Sequence, residues 1–341
     1  MKPLRWALAG LDHHYTALNL LRTAGQNSCA ELAAVWHHCP DQLQEAVEGI
    51  SVRTAPEWSD LCTDPEIDLV VSMSPPRLNQ KILTEAMEHG KHVISVKPGA
   101  FDLEGVQALQ ACAQRNGVVL FPAECLGRIS AVHQYAKSLV DQGALGDLLS
   151  ISQVVHGRPP QHWPGGHQDS WWVDPAQAPG GGWIDHSIYT VDLTRWLTGS
   201  AFVRATGFTA NVTYKELPLE DYGVGILQLA SGAVANLEVT WHRAPESPAR
   251  STIHILGSRG AVAVDNLLGK LAVSRHGQGD WSFEDLPQAE KSLNIVEHVA
   301  ASIQEGRAPA GSAWDQVQNF AACLAVYDSA KTGKTVSIPQ S

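Results

Sequence analysis

Through the first third of the chain, short apolar runs alternate with stretches of helical period, and glycine or proline marks most boundaries. Leu4–Ala9 (LRWALA) predicts a buried strand ending at Gly10, then a helix to about Ala24. Glu31–Trp36 (ELAAVW) predicts a second strand and Pro40–Glu48 a second helix. Ile67–Met73 is a third strand, followed by a helix over Pro76–His89 that Gly90 closes. His92–Val96 is a fourth strand, Leu103–Arg115 a helix and Val118–Phe121 a fifth strand. Apolar strands separated by helices imply a parallel sheet covered on both faces. Right-handed crossovers make it doubly wound. Ligands of such sheets bind beyond the carboxyl ends of the strands. Gly10, His37, Ser74, Pro75, Lys97 and Glu124 fall there.

After Phe121 the pattern changes. Ile129–Gln142 reads as a helix and Leu148–His156 as a long strand, followed by a loop rich in Pro, Gly, His and Trp over 157–182. Strands then follow at Phe202–Tyr214, Tyr222–Leu229, Ala233–His242, Ser251–Leu256, Ala261–Asp265 and Leu271–Ser274, several joined by short turns. These predict a mainly antiparallel sheet. Helices over Leu293–Gln304 and Ala313–Lys331 end the chain. The expected fold class is α/β. A doubly wound dinucleotide-type domain spans 1–125. A second α/β domain with a large open sheet spans 126–341, its last helices free to pack back on the first.

Between the two sets of strands lies Gly180–Leu197, GGGWIDHSIYTVDLTRWL. On a helix, Asp185, Tyr189, Asp192 and Trp196 share one face, because they recur at spacings of four, three and four. Ile184, Ile188, Val191 and Leu197 supply an adjoining apolar side. A phenol and two carboxylates beside a packed stripe need partners or a ligand. A buried, capped helix with Tyr189 hydrogen-bonded in the core accounts for the same pattern.

Charge and composition narrow the function classes. Net charge is −11, from 24 basic and 35 acidic residues, which argues against a general nucleic-acid or anionic-membrane binder. No apolar run approaches a membrane span. Six scattered cysteines without a C-x-x-C pair fit free thiols in a reducing compartment, so the expected location is cytoplasmic. Eleven tryptophans are many for this length. Trp163, Trp171, Trp172, Trp183 and Trp196 cluster within 34 residues, as either core or pocket wall.

The first turn, Gly10-Leu11-Asp12-His13-His14-Tyr15, keeps only the first glycine of a G-x-G-x-x-G dinucleotide motif. The second strand ends in His37 rather than the acidic residue that holds the adenosine ribose. A neutral imidazole there can bond a ribose and a cationic one a 2′-phosphate, so NAD and NADP both remain open. No metal is expected. The pairs His13-His14 and His37-His38 point apart along their elements, without a carboxylate-rich pattern.

GKHVISVKPGA (Gly90–Ala100) resembles the Glu-Lys-Pro stretch of the Gfo/Idh/MocA oxidoreductases. Gly180–Leu197 resembles the same family's GGG–Asp–His/Tyr–Asp signature. The likeness extends to Asp64-Pro65-Glu66-Ile67-Asp68, Gly143–Gly146, Asp174-Pro175 and the tail from Ile303 to Val336. It implies a Rossmann domain joined to an open-sheet α/β domain, with NAD or NADP between them. It also implies hydride transfer to or from a secondary alcohol of a sugar, cyclitol or sugar derivative. By position, Lys97, Asp185 and Tyr189 are the catalytic residues, with Tyr189 as acid/base and the Lys97 ammonium favouring its phenolate. Gly10, Leu11, His13, His14, His37, Ser74, Pro75, Asn79, Val96, Lys97, Glu124 and Trp171 are expected on the cofactor side.

Several positions depart from the family pattern. Val96 replaces the glutamate of Glu-Lys-Pro and removes a carboxylate that would orient Lys97. Asn79 stands for a histidine, and Trp171-Trp172 for Trp-Arg. Two other readings follow from the same residues. One is an NAD-dependent glycosidase working by transient oxidation, elimination and re-reduction. The other is a non-catalytic sugar- or nucleotide-sensing regulator. Facing a carbohydrate-like substrate we expect Arg128, His156, Arg158, Trp163, His167, Trp172, Asp185 and Tyr189, with an arginine clamping an acidic substituent. His242-Arg243 reads as a solvated turn. An open sheet implies a homodimer or homotetramer.

Overall fold

The computed structural model describes residues 2–161, 163–164, 170–242, 249–266, 270–277, 279–285 and 294–339. Six parallel strands form the first sheet: β1 (Leu4–Ala9), β2 (Ala30–Trp36), β3 (Arg53–Thr54), β4 (Leu69–Ser72), β5 (His92–Ser95) and β6 (Leu120–Pro122), in the order β3-β2-β1-β4-β5-β6. Helices α1 (His14–Thr23), α2 (Pro40–Val47), α3 (Trp58–Thr63), α4 (Pro76–Glu88) and α5 (Leu103–Asn116) connect them. This is a Rossmann order, with its reversal point between β1 and β4. β3 and α3 carry no sequence signal of the kind used above. β3 is two exposed residues held only by pairing to Ala34 and Val35. α3 is one short helix closed by a Glu57/Asp60 capping box.

The reversal point is shaped by Gly10. Its φ is +87°, and a Cβ there would overlap the Ser74 side chain on the turn after β4. Glycine alone lets β1 turn out against its neighbour.

Among the described residues the second sheet has nine strands. After α6 (Ala131–Asp141) come β7 (Leu148–His156), α7 (Gly182–Thr198), β8 (Phe202–Ala210), β9 (Tyr222–Leu229), β10 (Val234–Thr240), β11 (Arg250–Gly257), β12 (Gly260–Asp265), β13 (Lys270–Arg275) and β14 (Ser282–Asp285). α8 (Ile295–Gln304), α9 (Ala313–Thr332) and β15 (Val336–Ser337) follow. The order is β14-β13-β12-β11-β7-β10-β9-β8-β15, with β7 and β10 parallel and the other neighbours antiparallel. β14 and β15 are short edge strands that periodicity does not reveal.

α7 packs on one face of this sheet, beside α9 and the turn of 3-10 helix over Ala123–Ile129. It is buried around most of its circumference, which explains why a single apolar stripe does not describe it. Its start is fixed by close backbone approach. Gly182 N–H donates to the Glu220 carbonyl at 2.6 Å. The Glu220 carboxylate accepts from Gly181 N–H and Trp183 N–H, both at 3.0 Å, and from the Tyr327 hydroxyl at 2.6 Å. A carboxylate at the positive end of the helix satisfies donors that the helix itself leaves open. α9 also packs on α5, which ties the end of the chain to the first sheet.

The six cysteines are free thiols, four of them buried. Among the described residues no helix is long and apolar enough to cross a membrane.

A Cβ at Gly181 would overlap the Glu220 carbonyl oxygen. Gly181→Ala is expected to lower stability by about 2 kcal/mol, as overpacking against rigid backbone does. A urea midpoint equal to the parent's would show that the helix start tolerates displacement.

Candidate active site

β5 ends at Ser95, and the next residues run through Val96 to Lys97, which precedes a cis proline, Pro98. Asn79, buried in the first turns of α4, donates to Ser95 Oγ at 3.1 Å and to the Gly99 carbonyl at 2.6 Å, bracing this loop. Lys97 is thereby aimed away from the sheet and toward α7. Its Nζ donates to the Asp185 carbonyl at 2.6 Å and to the Asp185 carboxylate. The other carboxylate oxygen accepts from Trp241 Nε1 at 2.9 Å and lies 3.2 Å from His186 Nε2. Both members of the ion pair are buried.

Burial pushes the Lys97 ammonium pKa down, against the pull of Asp185 and Glu124. Burial also opposes ionisation of Asp185, yet His186, Lys97 and Trp241 together hold it below the usual carboxylate range. The carboxylate that Val96 lacks therefore arrives from α7. Val96 itself is a core residue, and Lys97 is held in place without the missing glutamate.

Tyr189 lies one turn after Asp185, and Lys97 Nζ is 5.3 Å from its ring centroid. Burial, then the charges of Asp185 and Glu124, push the phenol pKa well above its usual value. Burial first, and the two carboxylates after it, thus oppose the expected phenolate. Lys97, Asp185, His186, Tyr189, Trp172 and Arg158 line a cavity of about 320 Å³, with His13 and Tyr15 on its far side. Lys97 Nζ lies over the Trp172 indole, 4.3 Å from the ring centroid. Burial, followed by the charge of Lys97, lowers the His13 pKa to about 3, so its imidazole is neutral.

A second cavity, of about 460 Å³, opens at the carboxyl ends of β1, β2 and β4. Asp12, His38, Pro75, Arg77, Trp171 and Gln177 are on its wall. Trp171 and Trp172 stack at 3.9 Å between centroids, so one tryptophan faces each cavity. Trp171 Nε1 donates to the Asp12 carbonyl at 3.4 Å. These features suit a dinucleotide laid across the strand ends. α1 starts at His14 without a side-chain cap. Asp12 Oδ2, His13 Nδ1 and Trp172 Nε1 are buried without hydrogen-bond partners among the described residues.

The remaining cofactor-side residues divide by role. Leu11 is core, and its N–H donates to His37 Nδ1 at 3.2 Å. His14 packs on Tyr15 and Trp163. Ser74 Oγ donates to the Ala9 carbonyl at 3.2 Å and supports the Gly10 turn. Glu124 is buried below the Lys97 loop, and burial raises its pKa to about 8.

On the substrate side, Arg158 and Trp172 reach the cavity but Arg128 does not. Arg128 donates to Asp192 at 2.9 and 2.6 Å, to Asp315 at 2.8 Å and to the Ala310 carbonyl at 2.9 Å. It is the buried cation of a structural network joining α7 to α9, with four of its five N–H donors taken by those bonds. Asp192 accordingly belongs to that network rather than to the cavity, and Trp196 packs under Lys137. His156 ends β7 beside Glu238, 3.9 Å away. Trp163 stacks over His37, with ring centroids 6.3 Å apart and planes nearly parallel, on the dinucleotide side. His167 and Arg243 lie outside the described residues. Sequence reasoning missed His186, Trp241, Tyr15 and Arg77. His186 follows Asp185 directly, and helical spacing alone assigned it to another face.

Residues 4–124 match the family model described as oxidoreductase family, NAD-binding Rossmann fold. Residues 133–263 match the model of the GFO/IDH/MocA C-terminal domain. The 1,5-anhydro-D-fructose reductase of Ensifer adhaerens is 25% identical, over 98% of each chain. An uncharacterized oxidoreductase of Streptococcus pneumoniae serotype 4 is also 25% identical, over 59% of this chain and 52% of its own length. A structure of levoglucosan dehydrogenase in complex with NADH and L-sorbose superposes with a TM-score of 0.87 at 22% identity, covering 100% of both chains. At that identity the superposition speaks for the fold.

Glu124 generates a pH prediction. Its folded pKa of about 8 lies above the ordinary 4.5, so the folded chain keeps a proton that the unfolded chain releases. This contribution to stability is full below the ordinary pKa and falls as pH rises toward about 8. Glu124→Gln should melt close to the parent at acid pH and several degrees above it in mild alkali. Parallel melting curves across pH would refute the assignment.

Proposed function

The chain belongs to the GFO/IDH/MocA oxidoreductase family, with its NAD-binding Rossmann fold, and we propose on that premise that it moves hydride to or from a secondary alcohol of a sugar or sugar-like polyol. The observation that carries this reading is the buried Lys97–Asp185 pair with the Tyr189 phenol on the wall of the same cavity. The names of relatives point the same way: one reduces 1,5-anhydro-D-fructose, and another oxidises levoglucosan. The nicotinamide supplies or accepts the hydride when bound.

The chain's own residues handle the proton and the geometry. Tyr189, held protonated by burial, gives its proton to the developing alkoxide in the reductive direction and receives it back in oxidation. Two of the three Lys97 N–H groups are spent on Asp185; the third remains for the substrate oxygen. Trp172 offers a flat face to a sugar ring. Arg158, which has no hydrogen-bond or ion-pair partner among the described residues, suits an acidic substituent.

Trp171, on the wall of the dinucleotide cleft, and Trp163, over His37, also favour a second reading. Folded over the dinucleotide cleft, they would retain a nucleotide through many turnovers, as a redox-neutral glycosidase requires. Nucleotide released in stoichiometric amount from the denatured protein, with glycoside cleavage and no net reduced nicotinamide, would move the assignment to that reading.

The uncovered face of the second sheet carries Phe208, Ile226 and Phe283, each more than half exposed. We infer that a second copy of the chain covers it, giving a homodimer or homotetramer. Ile226→Lys with Phe283→Lys should shift sedimentation toward the monomer.

For the chemistry, reduced-nicotinamide absorbance is followed against a panel of cyclitols, sugars and sugar acids. Tyr189→Phe is expected to lower kcat about 100-fold or more while NAD binding is retained. Full turnover in that variant would remove Tyr189 from the mechanism.

A further inference from the structure

In sheets of this order a carboxylate at the end of β2 normally holds the ribose hydroxyls of the adenosine. Here that position is His37, and both ring nitrogens are engaged. Nδ1 accepts from Leu11 N–H at 3.2 Å, and Nε2 donates to Gln42 Oε1 at 2.8 Å. His37 is therefore committed to the protein, and its tautomer is set by those two bonds.

A carboxylate nevertheless stands at this spot, and it comes from another strand. Asp12 occupies the turn after β1, where the dinucleotide motif has its second glycine. Its Oδ2 lies 3.8 Å from His37 Nδ1 and its Oδ1 3.6 Å from His38 Nδ1. The residue is only 8% exposed, and Oδ2 has no hydrogen-bond partner among the described residues. It shares the 460 Å³ cleft with His38 and Pro75. Asp12 lines the cleft at the end of β2 and carries a buried acceptor without a donor, a combination suited to hydroxyl groups. Burial raises the Asp12 carboxyl to about 7, which its own backbone N–H only partly offsets, in keeping with a donor still to come.

We propose that Asp12, reaching across from the β1 turn, is the ribose-binding carboxylate of this chain and makes it select NAD over NADP. This assignment rests on the dinucleotide-dependent reading above. The vicinal ribose hydroxyls would both donate to Asp12. A 2′-phosphate would remove one of those donors and set its charge against the carboxylate. Arg77, the arginine on the cleft wall, does not reverse this. It donates through Nε to the Ala176 carbonyl at 3.0 Å, and its guanidinium lies 3.6 Å over the Phe101 ring.

A metal is the competing occupant, since ligand atoms of Asp12, His37 and His38 lie within 4.8 Å of one another. The bonds to Leu11 and Gln42 take His37 out of that set. Two ligands are too few for a structural or catalytic centre.

The test is equilibrium binding of NADH and of NADPH, without substrate, read by quenching of the intrinsic tryptophan fluorescence. The parent should bind NADH about tenfold or more tightly than NADPH. Asp12→Ala should weaken NADH by about tenfold or more and leave NADPH unchanged or tighter, bringing the two affinities together. Asp12→Asn, nearly isosteric, should narrow the preference in the same direction while melting like the parent. Because the readout is a ratio within one protein, partial misfolding affects both nucleotides alike. Equal affinity of the parent for both nucleotides, or an unchanged ratio in both variants, overturns the assignment while leaving a dinucleotide-dependent function standing. If the parent binds neither, the functional reading fails and takes this assignment with it.

Discussion

The buried ion pair between Lys97 and Asp185 is the constraint on which the rest of the site depends. It joins the loop after the fifth strand of the parallel sheet to the helix that covers the antiparallel one. Taking both charges out of water is costly, and their attraction offsets that cost only with good geometry and further hydrogen bonds. Trp241 and His186 complete the shell around the carboxylate. Loss of either partner would strand the other. The pair thus fixes how the two sheets face each other across the cavity, and it sets where Tyr189 stands one turn farther along α7.

A second polar lock reinforces the first. Arg128 bridges Asp192 on α7 and Asp315 on α9, and Asn319 donates to the same Asp192 carboxylate at 2.8 Å. The polar stripe of α7 therefore has two uses. Its first turns serve the cavity, and its middle serves internal architecture. Both locks depend on the start of α7 being held by Glu220, through glycines that let the chains touch.

Much of the fold was legible in the pattern of apolar residues. Leu4–Ala9, Leu148–His156 and Tyr222–Leu229 have the bounds that periodicity predicts. The strands it overlooked, β3, β14 and β15, are short edge strands held by pairing alone, which leaves no mark in a single strand's composition. In the site, the spacing of Asp185 and Tyr189 was readable because a helix repeats. What was not readable is partnership. Arg128 looks like a substrate clamp until Asp192 and Asp315 are seen to occupy it. Val96 looks like a loss until Asp185 is seen to supply the carboxylate. Tyr189 looks ready to ionise until its burial, with Asp185 beside it, is seen to oppose the charge. Each of these turns on contacts between residues far apart in sequence.

The parallel pairing of β7 with β10 has a consequence for how such a protein can diversify. β10 and β11 follow one another in the chain, yet both pair with β7, which lies between them. Thr240 and Arg250 both pair with His156, so the end of β10 and the start of β11 stand on either side of the last residue of β7, two strand spacings apart, or about 10 Å. The residues next to those ends meet the site: Trp241 bonds Asp185, and Ala249 lines the cavity. Strand order alone thus sets two strand ends beside the reacting centre. One of them holds the ion pair, whereas the other offers only a methyl group to the cavity, so a change at Ala249 would reshape the wall while Lys97 and Asp185 keep their places. The architecture thus separates an engine from a mouthpiece, and change in the second can redirect the first to another ligand.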